Sequence, residues 1–317
     1  MVIDDEAIKF YQIFHPGLIE EFSSVEKENK KFVYYTSADT AIKVIQGKRL
    51  WFRNATVMND YSEISYGLDL MRKVFSGEAG VQFKKAIEEI HTGTINDVDQ
   101  LITAWERDWR LETYIACIST HCREEDENGR LSMWRAYGNT ALVIKNTPMV
   151  AITDKLNVHS IPVLYMNEKD LFKYISIVTK AIIANISYLR GLGKNTLIGY
   201  LHHMLLRFAI GTKHPGFAEE KEWRLFYRPT EKLSPAMEEE IVVLDGVPQK
   251  IYKLPLAHEP EKGLYGADIS SLLDRIIIGP TEFPYVSYQA FSSVLATAKV
   301  KDAPHKVFIS EIPLRTR

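Results

Sequence analysis

The sequence of 317 residues contains little cysteine, no long apolar run and almost no net charge. Its two cysteines, Cys117 and Cys122, are too few for a disulfide framework and favour a reducing, intracellular setting. The uncharged apolar stretches at 181–189 and 196–206 are shorter than the roughly 20 residues that a membrane span needs. Because the acidic N-terminus also lacks the apolar core of a signal peptide, we predict a cytoplasmic protein without a membrane partner.

Several motifs with well-defined chemistry are absent as well. The sequence has no GxGxxG, GxxxxGKS/T, HExxH or GxSxG pattern, which excludes the best-known nucleotide loops, zinc proteases and hydrolases. His121 and Cys122 lack a second group of ligands, so we predict no metal site.

The net charge of −2 gives no overall basic surface, so contact with nucleic acid would require a local basic patch. The candidates for a phosphate-binding rim are four basic residues in one short segment: Lys43, Lys48, Arg49 and Arg53. The alternative is that these are ordinary solvated side chains on the surface.

The sequence does contain short β-type segments scattered between helical patterns. We predict strands at 32–36, 50–52, 113–119, 141–144, 163–166, 220–227, 241–244, 274–278 and 307–309. Apolar residues at helical spacing predict helices near 64–110 and 168–210. The strands lack the regular alternation with helices that a doubly wound parallel sheet requires, and no repeat or linker divides the chain. These patterns predict a single α+β domain over 1–317, with a core from about residue 32 and two helical insertions.

The segment 214–228, HPGFAEEKEWRLFYR, is the most informative part of the sequence. Its alternation predicts a half-buried strand on which Glu220 and Glu222, two residues apart, point to the same face. Two carboxylates on one face repel each other unless a ligand or a cation uses them, so the pair is a candidate site. The alternative is a charged edge strand in which Glu222 pairs with Arg224 or a nearby lysine.

Three further groups of polar and aromatic side chains are candidates for ligand binding. Tyr34 and Thr36 share one face of the first predicted strand, and Asn59 belongs to a polar loop that can equally cap a helix. The third group combines a hydroxyl, two aromatic rings and a guanidinium within six residues: Ser132, Trp134, Arg135 and Tyr137. Such a group can stack on a base and bind phosphate, or it can be a core tryptophan beside a surface arginine.

Four blocks of the sequence, in order, resemble the DUF2971 family. They are FVYYTSADTAIKVIQGKRLWFRNATVMNDYSE, then IACIST with LSMWRAYGN, then KHPGFAEEKEWRL, and finally IIIGPT with FISEIPLR. The resemblance extends from about residue 32 to residue 315. The order of four separate blocks is specific for the family and much less specific for a reaction.

The DUF2971 pattern is in turn similar to that of ADP-ribosyltransferases found in bacterial toxins and phage-defence systems. This resemblance implies a core of two small, mostly antiparallel packed sheets that binds NAD. It places Tyr34 and Thr36 in the motif of the first strand, and Glu220 and Glu222 in the late E-x-E motif with the catalytic glutamate. The family's usual histidine in the first motif is Tyr34 here, which can still hydrogen-bond to a ribose hydroxyl.

The resemblance leaves the middle position of the motif open among Tyr137, Ser132 and Trp134. It implies that Arg53 or Arg135 meets the pyrophosphate, while a carboxylate stabilises the oxocarbenium-like centre formed when nicotinamide leaves. Replacement of the catalytic glutamate by glutamine should then lower the rate without unfolding the protein.

The expected function is transfer of ADP-ribose from NAD to RNA, DNA or protein, as a toxin or antiviral effector with a possible antitoxin partner. The alternatives are an NAD glycohydrolase, in which water is the acceptor, and a non-enzymatic nucleotide or nucleic-acid sensing module.

Overall fold

The computed structural model describes residues 5–58, 64–150, 155–244 and 246–314, which form an α+β fold. The helices are α1 (Asp5–Phe14), α2 (Leu18–Lys27), α3 (Ala38–Gly47), α4 (Ser65–Ser76), α5 (Glu78–Ile90), α6 (Thr94–Leu111), α7 (Leu131–Tyr137), α8 (Thr147–Val150), α9 (Glu168–Ala184), α10 (Ile186–Gly191), α11 (Lys194–Gly211), α12 (Ile269–Leu272) and α13 (Pro284–Thr297). The strands are β1 (Lys31–Thr36), β2 (Arg49–Asn54), β3 (Tyr114–His121), β4 (Thr140–Ile144), β5 (Val158–Pro162), β6 (Leu164–Tyr165), β7 (Thr212–Lys213), β8 (Glu222–Tyr227), β9 (Glu238–Leu244), β10 (Val247–Pro255), β11 (Leu273–Ile278) and β12 (Val307–Ile309). None of the helices described is both long and apolar enough to cross a membrane.

Ten of these strands form one sheet, in which the pairings are antiparallel except for that of β11 with β12. The order along its main path is β12-β11-β4-β1-β3-β2-β10-β9, and β8 joins β3 to β5 beside this path. The prediction of two small packed sheets is therefore wrong, because β3 pairs with β1, β2 and β8 and so joins the strands into one sheet. A second sheet contains only β6 and β7.

The ten-stranded sheet divides at β3. One edge of β3 pairs with β8 from Tyr114 to Ser119. The other edge is shared, because β1 pairs with Ser119–His121 and β2 pairs with Tyr114–Ile115. Residues 116–118 of β3 pair with neither β1 nor β2. One limb of the sheet continues from β1 through β4 and β11 to β12, and the other continues from β2 through β10 to β9. The two limbs separate at residues 116–118 and leave a cleft between them.

The predicted helical regions lie together on one face of the sheet. Helices α4, α5, α9 and α11 pack against one another, and α1 packs on α9. Their amphipathic faces enclose a core to which alternate residues of the sheet contribute, such as Ile115 and Phe226. The intervening residues, such as Ala116 and Leu225, enter a second core on the opposite face. This division follows from the alternation of side chains along a strand.

Strand β8 corrects the sequence prediction of a half-buried strand. It is also not the edge strand of the alternative, although the pairing of Glu222 with Arg224 in that alternative is confirmed. All six of its residues are buried, because β3 and β5 flank it and a core covers each face. The alternation in its sequence therefore separates two kinds of buried face. One face carries Trp223, Leu225 and Tyr227, and the other carries Glu222 and Arg224 as a buried ion pair.

Candidate active-site cleft

The cleft between the two limbs has a volume of about 550 Å³. Ala116, Cys117 and Ile118 of β3 line it at the point where the limbs separate. The predicted site residues that line it come from five parts of the chain: Tyr34, Thr36, Arg53, Tyr137, Glu220 and Glu222. The fold thus brings together most of the residues that the sequence singled out.

Glu222 lies at the start of β8, opposite Ser119 of β3, and is only 5% exposed. Its Oε1 accepts a hydrogen bond of 2.8 Å from Nε of Arg224, a side chain that is fully buried. Its Oε2 accepts one of 3.1 Å from Nζ of Lys213. Burial alone would raise the pKa of Glu222, but the charges of Arg224 and Lys213 outweigh burial and lower this pKa. Glu222 is therefore ionised at neutral pH.

Glu220 reaches the same cluster by a route that the sequence pattern did not predict. It ends the 3-10 helix Pro215–Glu220, and Lys221 then takes a left-handed conformation with φ of 45°. Glu220 and Glu222 are therefore not successive residues of one strand face. Lys213 joins them instead, because its Nζ donates to Oε2 of Glu220 at 2.7 Å as well as to Glu222.

Lys213 is a site residue that the sequence analysis missed. It is 3% exposed, lies in β7 directly after α11, and its Nζ is 4.7 Å from the centre of the Phe217 ring. It belongs to the KHPGFAEEKEWRL block, in which a lysine precedes the two glutamates by seven and nine residues. The three residues lie on three different elements, namely β7, the 3-10 helix Pro215–Glu220 and β8, so no periodicity of a single element connects the lysine with the carboxylates.

Tyr137 completes the cluster from the end of α7. Its hydroxyl donates a hydrogen bond of 2.8 Å to Oε1 of Glu220, and burial raises the pKa of Tyr137, so that it remains a neutral donor. Arg130 binds the backbone next to this carboxylate. Its Nη1 donates to the carbonyl oxygens of Glu219 and Glu220, at 2.9 Å each, and so holds the turn before β8 in place.

Tyr34 and Thr36 line the cleft from β1, and Arg53 lines it from β2. Burial raises the pKa of the Tyr34 hydroxyl, an effect only partly offset by its hydrogen bond with Thr36. The guanidinium of Arg53 is held at 3.1 Å by Oε1 of Gln249 and at 3.2 Å by the carbonyl of Val57. Arg53 is thus fixed in position by neutral acceptors.

The structure corrects three of the predicted ligand-binding residues. Trp134 is a core residue whose Nε1 donates to the Asn128 carbonyl at 2.9 Å, and its ring packs edge-on against Tyr35. Neither Ser132 nor Arg135 lines the cleft, and Arg135 is exposed. The reason is that Met133 and Tyr137, four residues apart in α7, share the helix face that lines the cleft, whereas the other predicted residues lie on other faces. Asn59 lies outside the described residues.

The predicted basic rim is also only partly assembled. Lys43 and Arg53 line the cleft, whereas Arg49 is engaged by Glu238 at 2.7 Å. Lys48 follows α3 in a left-handed conformation with φ of 49° and does not line the cleft. In the described ranges, no group of histidine, cysteine and acidic side chains has the arrangement of a metal site.

Comparison with protein families identifies the central part of the chain. Residues 133–225 match the model of a family described as "Protein of unknown function (DUF2971)". The chain is similar to DUF2971 over this region. No curated protein and no solved structure matched the chain.

The DUF2971 region extends from α7 to β8, and it confirms the family resemblance that the sequence motifs predicted. It contains Tyr137, Lys213, Glu220 and Glu222, which are four members of the cluster at the cleft. Tyr34 on β1 and Arg53 on β2 also line the cleft, and both strands precede this region in the chain. The site is therefore built by the matched region together with strands that precede it in the chain.

The lowered pKa of Glu222 predicts a specific dependence of stability on pH. A carboxyl group with a lowered folded pKa contributes stability above its ordinary value of 4.5, and this contribution is lost as the pH falls toward the folded pKa. We expect the difference in unfolding free energy between wild type and Glu222→Gln to shrink below pH 4.5, by up to about 1.4 kcal/mol per pH unit. Urea unfolding at several values between pH 7 and pH 3 measures it. A difference that stays constant over this range would contradict the assignment.

Proposed function

We propose that the protein is an NAD-dependent ADP-ribosyltransferase that modifies a macromolecular acceptor. The observation that carries the proposal is the pair of carboxylates, Glu220 and Glu222, held by one buried lysine beside a cleft that Tyr34 and Thr36 also line. The division of the sheet into two limbs at β3 supports an ADP-ribosyltransferase-like core, in which a dinucleotide occupies the space between the limbs.

The central role falls to Glu222. Departure of nicotinamide leaves positive charge on the ribose, and an ionised carboxylate that is already oriented stabilises this charge without reorganisation. Arg224 contacts Oε1 of Glu222 through both Nε and Nη2, Lys213 donates to Oε2, and the Cys117 thiol also hydrogen-bonds to the carboxylate. In this proposal a ribose hydroxyl takes the place of the thiol, which is a weak donor. Buried cations thus fix the carboxylate in one orientation while leaving it able to bind the sugar.

Other elements that line the cleft provide groups that suit the rest of NAD. Arg53 and Lys43 both line the cleft and offer positive charge to a pyrophosphate. Tyr34 and Thr36 offer hydroxyl groups to a ribose and, in Tyr34, a ring against nicotinamide. In this proposal Tyr137 takes the middle position of the motif, because its hydroxyl bonds directly to Glu220.

Glu220 is proposed to orient or deprotonate the acceptor. We expect Glu220→Gln to reduce NAD cleavage less than tenfold while reducing transfer to the acceptor by a hundredfold or more, as for loss of a general base. Nicotinamide release and incorporation of labelled ADP-ribose, measured in the same reaction, give the two rates. Tyr137→Phe is the matched control, because it removes the hydrogen bond to Glu220 and keeps the carboxylate. Equal loss of both rates in Glu220→Gln would contradict this division of roles.

One observation favours a binding module without turnover. Both oxygens of Glu222 already bind cations, so the cluster can also be a structural ion-pair network beside a nucleotide-binding cleft. NAD labelled on the adenylate phosphate distinguishes the candidates when it is offered with total RNA, sheared DNA and soluble lysate protein. Label on one acceptor pool supports the transferase, whereas free ADP-ribose indicates a glycohydrolase. Binding of NAD with no product supports the sensing module and overturns the enzymatic proposal.

A further inference from the structure

A second and larger cavity lies along β5, the strand that pairs with β8 at the end of the sheet. Its volume is about 630 Å³, and its walls are mostly aliphatic and aromatic, with contributions from Leu18, Phe22, Leu142 and Leu225. Cavities of this size accommodate molecules of a few hundred daltons. A cavity with such walls favours an apolar ligand body.

One wall residue, Arg207 of α11, does not fit an apolar cavity. Its side chain is only 4% exposed. Nη1 lies 3.1 Å from Nδ1 of His15 and 3.5 Å from the hydroxyl of Tyr174, while Nε has no hydrogen-bond partner among the described residues. Within the part of the chain that the structure describes, Arg207 forms no ion pair with a carboxylate. Arginine stays protonated in proteins, so α11 holds a buried positive charge without a counter-ion.

The histidines around Arg207 do not supply the missing negative charge. His15 contacts Nδ1 of His203 through its Nε2 at 3.2 Å, and both His203 and His159 line the cavity. Burial, followed by the charge of Arg207, lowers the pKa of His15. Burial and the neighbouring His159 lower the pKa of His203 to about 3. These rings are therefore neutral at physiological pH and act only as hydrogen-bonding groups.

A buried charge without a partner is costly, whereas a guanidinium binds a carboxylate strongly through two parallel hydrogen bonds. We propose that this cavity is a binding site for an amphipathic carboxylate, with its acid group on Arg207 and its apolar body along the aliphatic walls. The chemical class is that of a fatty or aromatic monocarboxylic acid. A phosphate dianion fits less well, because Arg207 is the buried cation of the lining and would balance one charge, whereas Lys232, which also lines the cavity, is exposed to solvent. The cavity shares wall residues, among them Tyr34, with the proposed active-site cleft, but its ligand is a different one and its test does not depend on NAD turnover.

Binding of hexadecanoate and of its methyl ester to the full-length protein tests the proposal directly. The two compounds have the same apolar body, so their difference isolates the acid group. With both kept below the concentration of micelle formation, we expect hexadecanoate to bind at least tenfold more tightly than the ester, in line with a charge-assisted hydrogen-bonded pair. Displacement of a fluorescent fatty acid and the shift in melting temperature measure it. Equal binding of acid and ester, no binding of either, or tighter binding of hexadecyl phosphate than of hexadecanoate would overturn the proposal.

Arg207→Met tests whether the guanidinium is kept for a ligand or for the fold. We expect this variant to lose at least tenfold in hexadecanoate affinity, while its melting temperature without ligand is equal to or above that of wild type. Arg72→Met, on the exposed surface of α4, is the matched control and should change neither quantity. A variant that melts lower and binds hexadecanoate as wild type does would assign Arg207 a structural role only. If Arg207→Met does not fold, the comparison of acid with ester on wild type decides the question.

Discussion

Replacing Glu222 with glutamine is expected to lower the rate of NAD cleavage by about a hundredfold or more, because one preorganised electrostatic group in a transition state is typically worth 10²–10³ in rate. The substitution keeps the size of the side chain and one acceptor oxygen, but it removes the negative charge beside the reacting ribose. Nicotinamide release under single-turnover conditions measures the chemical step. Turnover close to that of wild type, measured on folded protein, would exclude Glu222 as the catalytic carboxylate.

The same substitution should also destabilise the protein, which differs from the expectation drawn from the sequence. Glutamine would leave Arg224 and Lys213 without the carboxylate between them, and its amide N–H₂ would face one of the two cationic donors. Breaking a buried ion pair by removing one partner costs about 3–5 kcal/mol. Urea unfolding at pH 7 measures this loss, and activity should be assayed at a temperature at which circular dichroism shows the variant to be folded.

Glu240→Gln provides the matched control for stability. Glu240 of β9 pairs with Lys253 of β10, and 48% of the Glu240 side chain is exposed. Exposed ion pairs contribute about 0–1 kcal/mol, so this variant should unfold nearly as wild type does. A loss in Glu222→Gln no larger than in this control would contradict the buried network.

Lys213→Met is expected to have the second largest effect. Lys213 is the cation common to Glu220 and Glu222, and methionine fills a similar volume without charge. Its removal leaves two carboxylates close together in a buried site, where like charges disfavour ionisation of both. We expect a loss of about 3–5 kcal/mol at pH 7, and a smaller loss below pH 4.5, where the carboxylates take up protons.

The neighbouring variant Lys221→Met separates this effect from the loss of any lysine. Lys221 lies 3.4 Å from Glu125, and 49% of its side chain is exposed. Its replacement should cost about 1 kcal/mol or less. In the enzymatic proposal Lys213→Met also loses NAD cleavage, because Glu222 loses one of the two cations that orient it and Glu220 loses its link to Glu222. Retained cleavage by folded Lys213→Met would mean that the lysine supports the fold alone.

Interactions close in sequence allowed much of the fold to be predicted. The helical regions near 64–110 and 168–210 follow from amphipathic periods, and most of the strands follow from β-branched and aromatic runs. Helices α1 and α2 and strands β5 and β10 were not predicted. The sequence of β10, which lies beside the edge strand β9, shows little alternation of apolar and polar residues. Helix α1 is stabilised by packing of Phe10, Ile13 and Phe14 on helices distant in sequence.

The sequence by itself determined the α+β class, the DUF2971 resemblance and the two glutamates of the candidate site. Tertiary structure alone decided how these glutamates meet. Lys221 takes a left-handed turn, and Lys213 bridges Glu220 and Glu222 from another strand. Tertiary structure likewise decided that β3 is shared by two diverging limbs, and that Tyr137 enters the cleft while Trp134 enters the core. The physical reason is that strand pairing and ion pairing join residues far apart in the chain, whereas sequence periodicity reports only which face of a local element is apolar.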